Sequence, residues 1–291
     1  MSRLVLGGAS LIHLSYSEIN RLLQTASENG VRRVDTAPLY GDSQKILGDA
    51  LKFHPSFVVS SKVGRPNFAD FNPKGIRKSV EKTLIDLRIS KLDTLFVHSL
   101  PKTYLKSDNL EALEEIRRAG LVDNIGFSGD NEDLWSASNL EIFSSLMFSL
   151  NPLDLSNLKY LDQKSKTPPQ VYLKRILANG VFNIHLEHEI KNFFRFILQK
   201  PRVESHSEYR FRYQVLYGSR LNPTHKFRFF MQFALIAMGM DSLLTVGVKN
   251  PQQLIKCLRE EKRFNQGFRL RNFKTEFERA DIFSELWEAI I

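Results

Sequence analysis

The strongest constraint on the fold of this chain is a rhythm. Short apolar runs of strand length alternate with longer stretches whose apolar residues recur at helical spacing. Leu4-Val5-Leu6 opens the series within residues 3–7, and Gly7-Gly8 breaks it. Ser15 or Ser17 then starts an amphipathic stretch to Glu28, with Ile19, Leu22, Leu23 and Ala26 on one face and Asn29-Gly30 as its stop. Val31–Val34 is the second strand-like run, and Ile46, Leu47, Ala50 and Leu51 form the apolar stripe of the helix after it. The third run, Phe57–Ser61, leads into Lys62. Asn72-Pro73 then starts a long helix carrying Ile76, Val80, Leu84 and Leu87. Leu92–Val97, Val122–Phe127 and Ser145–Leu150 continue the series, with a helix marked by Leu110, Leu113 and Ile116 and closed by Gly120.

Strands and helices in this alternation imply parallel β-α units joined by right-handed crossovers. No G-x-G-x-x-G follows the first strand, so the chain lacks a Rossmann dinucleotide fingerprint. The expected architecture is an α/β, (β/α)8 TIM barrel in a single domain over residues 1–291. Strand seven is expected at Val181–Leu186 and strand eight at Leu243–Val246, with helices from Thr224 to Ala237 and from Asn250-Pro251 onward. Residues 201–223 break the rhythm and read as a long loop after strand seven. Residues 264–291 read as a C-terminal extension, with a helix from Phe273 to Ile291 outside the barrel.

Composition narrows the class further. At 42% apolar and 25% charged residues, the 291-residue chain has the make-up of a globular protein. The lone cysteine, Cys257, excludes an internal disulfide and a zinc cluster; it reads as an inert helix residue, and no metal is expected. The longest uncharged apolar stretch, Phe229–Met240, contains Gln232 and is too short to cross a bilayer. No signal peptide is read before the first strand, so the expectation is a cytoplasmic protein with no membrane partner. The net charge of +9 is concentrated in residues 191–228 and 256–274 and would attract anions, nucleotide phosphates among them. Arg and aromatic residues interleave in 201–223, a pattern that can stack on bases. No zinc-finger, RNA-recognition or helix-turn-helix signature accompanies it, so a covering loop or surface hairpin is the expectation and nucleic acid is not an expected partner.

Polar residues close several of the apolar runs. Asp35-Thr36-Ala37-Pro38-Leu39-Tyr40-Gly41 follows Val34, Lys62 follows Ser61, and His98 follows Val97. Barrel enzymes keep their chemistry at the carboxyl ends of strands. Asp35, Tyr40, Lys62 and His98, in this order, resemble the catalytic tetrad of the aldo-keto reductases. The stretches DTAPLYG, SSKVGRP and LFVHSL are similar to that family's motifs, and with the opening LGGAS they look most like the branch acting on free sugars, such as the aldose and fucose dehydrogenases. The resemblance covers most of residues 3–150 and resumes at 227–255.

The resemblance implies hydride transfer between a nicotinamide cofactor, usually NADP, and a small carbonyl or sugar substrate. Negative charge builds on the carbonyl oxygen in that reaction, so a proton must be supplied. A phenol is a poor acid near neutrality unless a nearby cation favours its anion. Lys62 suits that role, with Asp35 keeping it charged and oriented, Tyr40 as proton donor and a neutral His98 orienting the substrate oxygen. For the cofactor, the resemblance points to Gly8, Ser128, Asn151, Gly247, Lys249, Asn250 and Gln253. Within Thr245–Leu254, glycine allows close backbone approach, and Lys249 with the amides of the next helix would meet a 2′-phosphate. Departures accompany these matches. Gly129 follows Ser128 where the family has Asn, and Met147 stands for its Gln in strand six. Leu186 stands for the aromatic under the nicotinamide, Glu187-His188-Glu189 for its phosphate loop, and Lys256-Cys257 for its Glu-Asn pair. A second reading follows from them: a barrel that keeps the tetrad but has lost productive nicotinamide binding, serving a non-redox, binding or regulatory role.

Overall fold

Eight parallel strands close on themselves in chain order, each paired with the next and the last returning to the first. In this computed structural model the described residues are 1–152, 154, 156–157, 170–178, 223–237 and 241–266. The strands are β1 (Leu4–Gly7), β2 (Arg33–Asp35), β3 (Val58–Val63), β4 (Leu92–His98), β5 (Val122–Ser128), β6 (Ser145–Ser149), β7 (Gln170–Lys174) and β8 (Leu243–Val246). The described α-helices are α1 (Tyr16–Glu28), α2 (Ser43–Leu51), α3 (Pro73–Leu87), α4 (Ser107–Arg118), α5 (Asn131–Ser138), α6 (Pro223–Ala237) and α7 (Pro251–Asn265). The expected (β/α)8 barrel is therefore what the chain forms.

Helix starts follow their capping chemistry. Ser15 and Glu18 form a capping box at α1, the carboxylate accepting from the Ser15 amide at 2.7 Å. Asn72 caps α3 by accepting from the Gly75 amide at 3.0 Å, with Pro73 in the first turn. Asn250 and Pro251 repeat the device at α7, where the Asn250 side chain accepts from the Gln253 amide at 2.9 Å.

Strand alternation sorts side chains into two cores. Leu4, Leu6, Val34, Val59, Leu95, Val97, Ile125, Leu146, Leu173 and Val246 join the large cluster shared with the helices. Val5, Phe96, Met147 and Tyr172 form a separate cluster, which by parity is the barrel interior. Gly126 belongs to that interior: a Cβ there would lie 2.6 Å from the Phe96 ring. Two residues beyond each interior residue stands one at the carboxyl-end mouth, namely Gly7, His98, Ser128, Ser149 and Lys174.

Strand seven corrects the sequence-based expectation. It is Gln170–Lys174 rather than Val181–Leu186, paired with β6 through Leu146↔Val171 and Phe148↔Leu173 and with β8 through Tyr172↔Leu243. Both runs are rich in Val, Leu or Ile, and local composition does not choose between them; the register with β6 and β8 does. Val181–Leu186, residues 201–222 of the expected 201–223 loop and the expected helix over 273–291 lie outside the described residues, as do Leu186 and Glu187-His188-Glu189; Pro223 already opens α6. β2 is also shifted toward Asp35, which lies within the strand. Among the described residues no helix is long and apolar enough to cross a membrane, and no group of three or more His, Cys, Asp or Glu is placed to hold a metal.

Candidate active site

Asp35, at the end of β2, faces the mouth beside β3. Its carboxylate accepts from Lys62 Nζ at 2.5 Å through Oδ2 and from Ser60 Oγ at 2.9 Å through Oδ1. Lys62 also donates to the Thr36 carbonyl at 2.9 Å. Both charged side chains are almost completely enclosed, at 2% and 4% exposure. A buried ion pair of this kind persists only with such additional hydrogen bonds. Burial disfavours the Lys62 cation, but Asp35 and the Tyr40 phenol outweigh it and raise the amine's pKa. Lys62 is an ammonium at any working pH.

Tyr40 is carried on the loop after β2, in a turn closed by its own amide donating to the Ala37 carbonyl at 3.0 Å. Its ring sits 5.0 Å from Lys62 Nζ. The His98 ring meets it edge-on, with centroids 6.2 Å apart and planes at 86°. The four residues are thus brought together. Gly8 lies directly behind them: a Cβ there would stand 2.8 Å from the Asp35 carbonyl and 3.0 Å from Thr36 Cβ, so only glycine lets the first loop cross the end of β2. Ser43 Oγ locks that crossing by donating to the Gly8 carbonyl at 2.9 Å.

His98 is held neutral. Burial first, then the charges of Lys62, Lys174 and Arg65, push its pKa from 6.5 down to about 2. The unfolded imidazole takes up a proton below about 6.5 and the folded one does not, so the unfolded state binds more protons as pH falls and stability declines there. His98→Gln should therefore lose less stability than wild type between pH 7 and pH 5 in urea melts. Equal acid sensitivity of the two proteins would reject a neutral, half-buried His98.

A second buried pair closes the opposite wall. Lys174 Nζ lies 3.3 Å from Asp130 Oδ2, with both side chains about five-sixths buried (17% and 16% exposed). Asp130 also accepts from the Ser149 amide at 2.7 Å and from Asn157 Nδ2 at 2.9 Å. Burial lowers the Lys174 pKa, and Asp130 opposes that shift. Sequence reading missed this residue, although Val171-Tyr172-Leu173 ending in Lys174 repeats the apolar-run-then-cation pattern that found Lys62. Ser60 and Asp130 were missed as well, since neither closes a strand.

Gly8 aside, the residues expected to hold a cofactor divide into three groups. Ser128, at the end of β5, has a buried Oγ with no hydrogen-bond partner among the described residues, a free group at the mouth. Gly247, Lys249 and Asn250 are exposed on the loop after β8; a Cβ on Gly247 would meet nothing nearer than Ser10 at 3.9 Å. Gln253 Oε1 accepts from the Lys249 amide at 2.8 Å, which fixes that loop on α7. Asn151, just past β6, is fully buried and donates from Nδ2 to the Arg175 carbonyl at 3.0 Å. An unpartnered hydroxyl at one end and an open glycine-and-lysine loop over a helix N-terminus at the other fit a dinucleotide laid across the barrel.

Fold and site define a class: a parallel (β/α)8 barrel with an acid–base cluster at the carboxyl ends of β2, β3 and β4. Residues 3–169 match the sequence pattern of the Aldo/keto reductase family, and the chain belongs to that family. D-arabinose 1-dehydrogenase of Saccharomyces cerevisiae is 28% identical over 212 residues, 64% of this chain and 62% of that protein. L-galactose dehydrogenase of Arabidopsis thaliana is 30% identical over 117 residues, 37% of each. The chain thus spans less than two thirds of the length of these relatives. A putative aldo-keto reductase from Pseudomonas aeruginosa superposes with a TM-score of 0.66 at 21% identity, covering 90% of both chains. An aldo/keto reductase from Klebsiella pneumoniae in complex with NADP and acetate gives 0.65 at 15% identity, over 95% of this chain and 92% of that one. At these identities the structural likeness speaks to the fold.

Proposed function

We propose that this protein, working as one barrel domain in the cytoplasm, is an NADP(H)-dependent oxidoreductase that interconverts a carbonyl and an alcohol on a small sugar, aldehyde or ketone. The observation that carries the reading is the buried Lys62 ammonium, clamped by Asp35 and set against the Tyr40 ring. When bound, a nicotinamide supplies or receives the hydride. Tyr40 then gives its hydroxyl proton to the carbonyl oxygen as negative charge builds there, and takes the proton back from the alcohol in the reverse direction. Lys62 favours the phenolate left behind, and Asp35 keeps the ammonium fixed. His98, uncharged, donates a ring N–H to the same oxygen and orients it. The names of the yeast and plant relatives favour a sugar substrate, and the NADP held by the Klebsiella protein favours that cofactor.

Ser128 would hold the carboxamide end of the cofactor, and Gly247, Lys249, Asn250 and Gln253 the adenosine-phosphate end. Titration with NADPH, followed by quenching of tryptophan emission, tests the reading. Micromolar binding is expected, and Lys249→Ala should weaken NADPH about tenfold with little change for NADH, the loss of one charge-assisted contact. An unchanged NADPH-to-NADH ratio would reject the 2′-phosphate role of Lys249. Absence of NADPH binding would favour the non-redox reading.

A further inference from the structure

Among the described residues the charges around His98 do not balance. Lys62, Lys174 and Arg65 each act on the imidazole, whereas the carboxylates of the mouth that pair with them are Asp35 and Asp130. Asp35 is taken by Lys62, and Asp130 by Lys174. Arg65 is left over. It lies on the loop just past β3, three residues beyond Lys62, and makes no hydrogen bond or ion pair among the described residues. Its guanidinium is laid over the Phe68 ring, 4.6 Å from the centroid, and its Nε is buried without an acceptor. The carboxylate on the same loop, Asp70, accepts instead from Asn67 Nδ2 at 3.1 Å. The loop itself is seated: a Cβ on Gly64, at φ +103°, would lie 2.6 Å from Leu100 of the β4 loop. An arginine set against an aromatic ring, half-buried and without an ion pair among the described residues, is a planar fork suited to a carboxylate or phosphate.

We propose that Arg65 is a substrate-recognition residue that binds an anionic group, a carboxylate or a phosphate ester, on the molecule whose carbonyl or alcohol meets Tyr40 and His98. The substrate class is then an acidic sugar or aldehyde rather than a neutral one. This rests on the oxidoreductase reading above. Its physical reason is that an anion beside His98 answers the cation left unmatched among the described residues, while a neutral substrate leaves it half-desolvated without that match.

The test uses three matched sugars, D-galactose, D-galacturonate and D-galactose 6-phosphate, assayed with NADP+ and with NADPH on the full chain and on Arg65→Met. The wild type should prefer one of the acidic sugars about tenfold or more in kcat/KM. Arg65→Met should lower that value about 10- to 100-fold, chiefly through KM, and leave D-galactose within about threefold. Which acidic sugar is preferred identifies carboxylate or phosphate. A wild type that prefers D-galactose overturns the proposal, and so does a variant in which all three sugars fall together. If no sugar is turned over with either cofactor, the oxidoreductase reading is what fails, and calorimetric titration with D-galacturonate and inorganic phosphate decides the site alone. Binding that Arg65→Met removes supports it; binding that is absent or unaffected overturns it.

Discussion

Tyr40→Phe is expected to lower kcat for carbonyl reduction by roughly 10²- to 10⁴-fold, the usual contribution of a positioned general acid. The substitution is informative because so little else changes. Phenylalanine keeps the ring that lies 5.0 Å from Lys62 Nζ and meets His98 edge-on, so the packing of the site persists and only the hydroxyl is lost. NADPH affinity and the melting temperature should stay close to wild type. A steady-state assay with any turned-over aldehyde or sugar, paired with the fluorescence titration, reads both quantities. Activity within threefold of wild type would remove Tyr40 from the proton transfer. A parallel loss of cofactor affinity would mean that the ring positions the cofactor and that the hydroxyl is incidental.

Lys62→Met should destabilise the fold by about 3–5 kcal/mol, because it strands the Asp35 carboxylate in the barrel with Ser60 as its remaining side-chain donor. Against a typical stability of about 5–15 kcal/mol, that is a loss visible in any denaturant melt. The double variant Asp35→Asn, Lys62→Met should recover much of it, since it leaves no unpaired charge. If Lys62→Met fails to fold, the double variant still decides the matter: it should fold, with the amide accepting from Ser60 Oγ. Both variants should be inactive, because neither retains an ammonium beside Tyr40. A single-variant loss under about 1 kcal/mol, or losses that simply add across the cycle, would show that the two groups are not coupled as the 2.5 Å contact implies.

Much of the chain declares itself locally. Strand and helix periods, the caps at Ser15, Asn72 and Asn250 and the stops at Gly30 and Gly120 depend on residues within a few positions of one another. The alternating barrel was therefore legible, as was the placing of Asp35, Lys62 and His98 at successive strand ends, since a polar residue closing an apolar run is a nearest-neighbour signal. Strand seven was not legible. Residues 170–174 and 181–186 offer similar apolar runs, and the choice between them is made by hydrogen bonds to β6 and β8, which sit tens of residues away in sequence.

The same distinction runs through the site. The sequence by itself determined the fold class, the order of the four polar residues and the side chains available to them. Only the tertiary structure decided that Lys62 lies between Asp35 and Tyr40, that Lys174 pairs with Asp130 on the far wall, and that Asn151 is enclosed and donates to the Arg175 carbonyl. It also decided that Arg65 lies over the Phe68 ring, with no carboxylate paired to it among the described residues. The reason is electrostatic. A side chain's charge state and availability depend on which charges and how much water surround it in space, and closure of the barrel brings those neighbours in from distant parts of the chain.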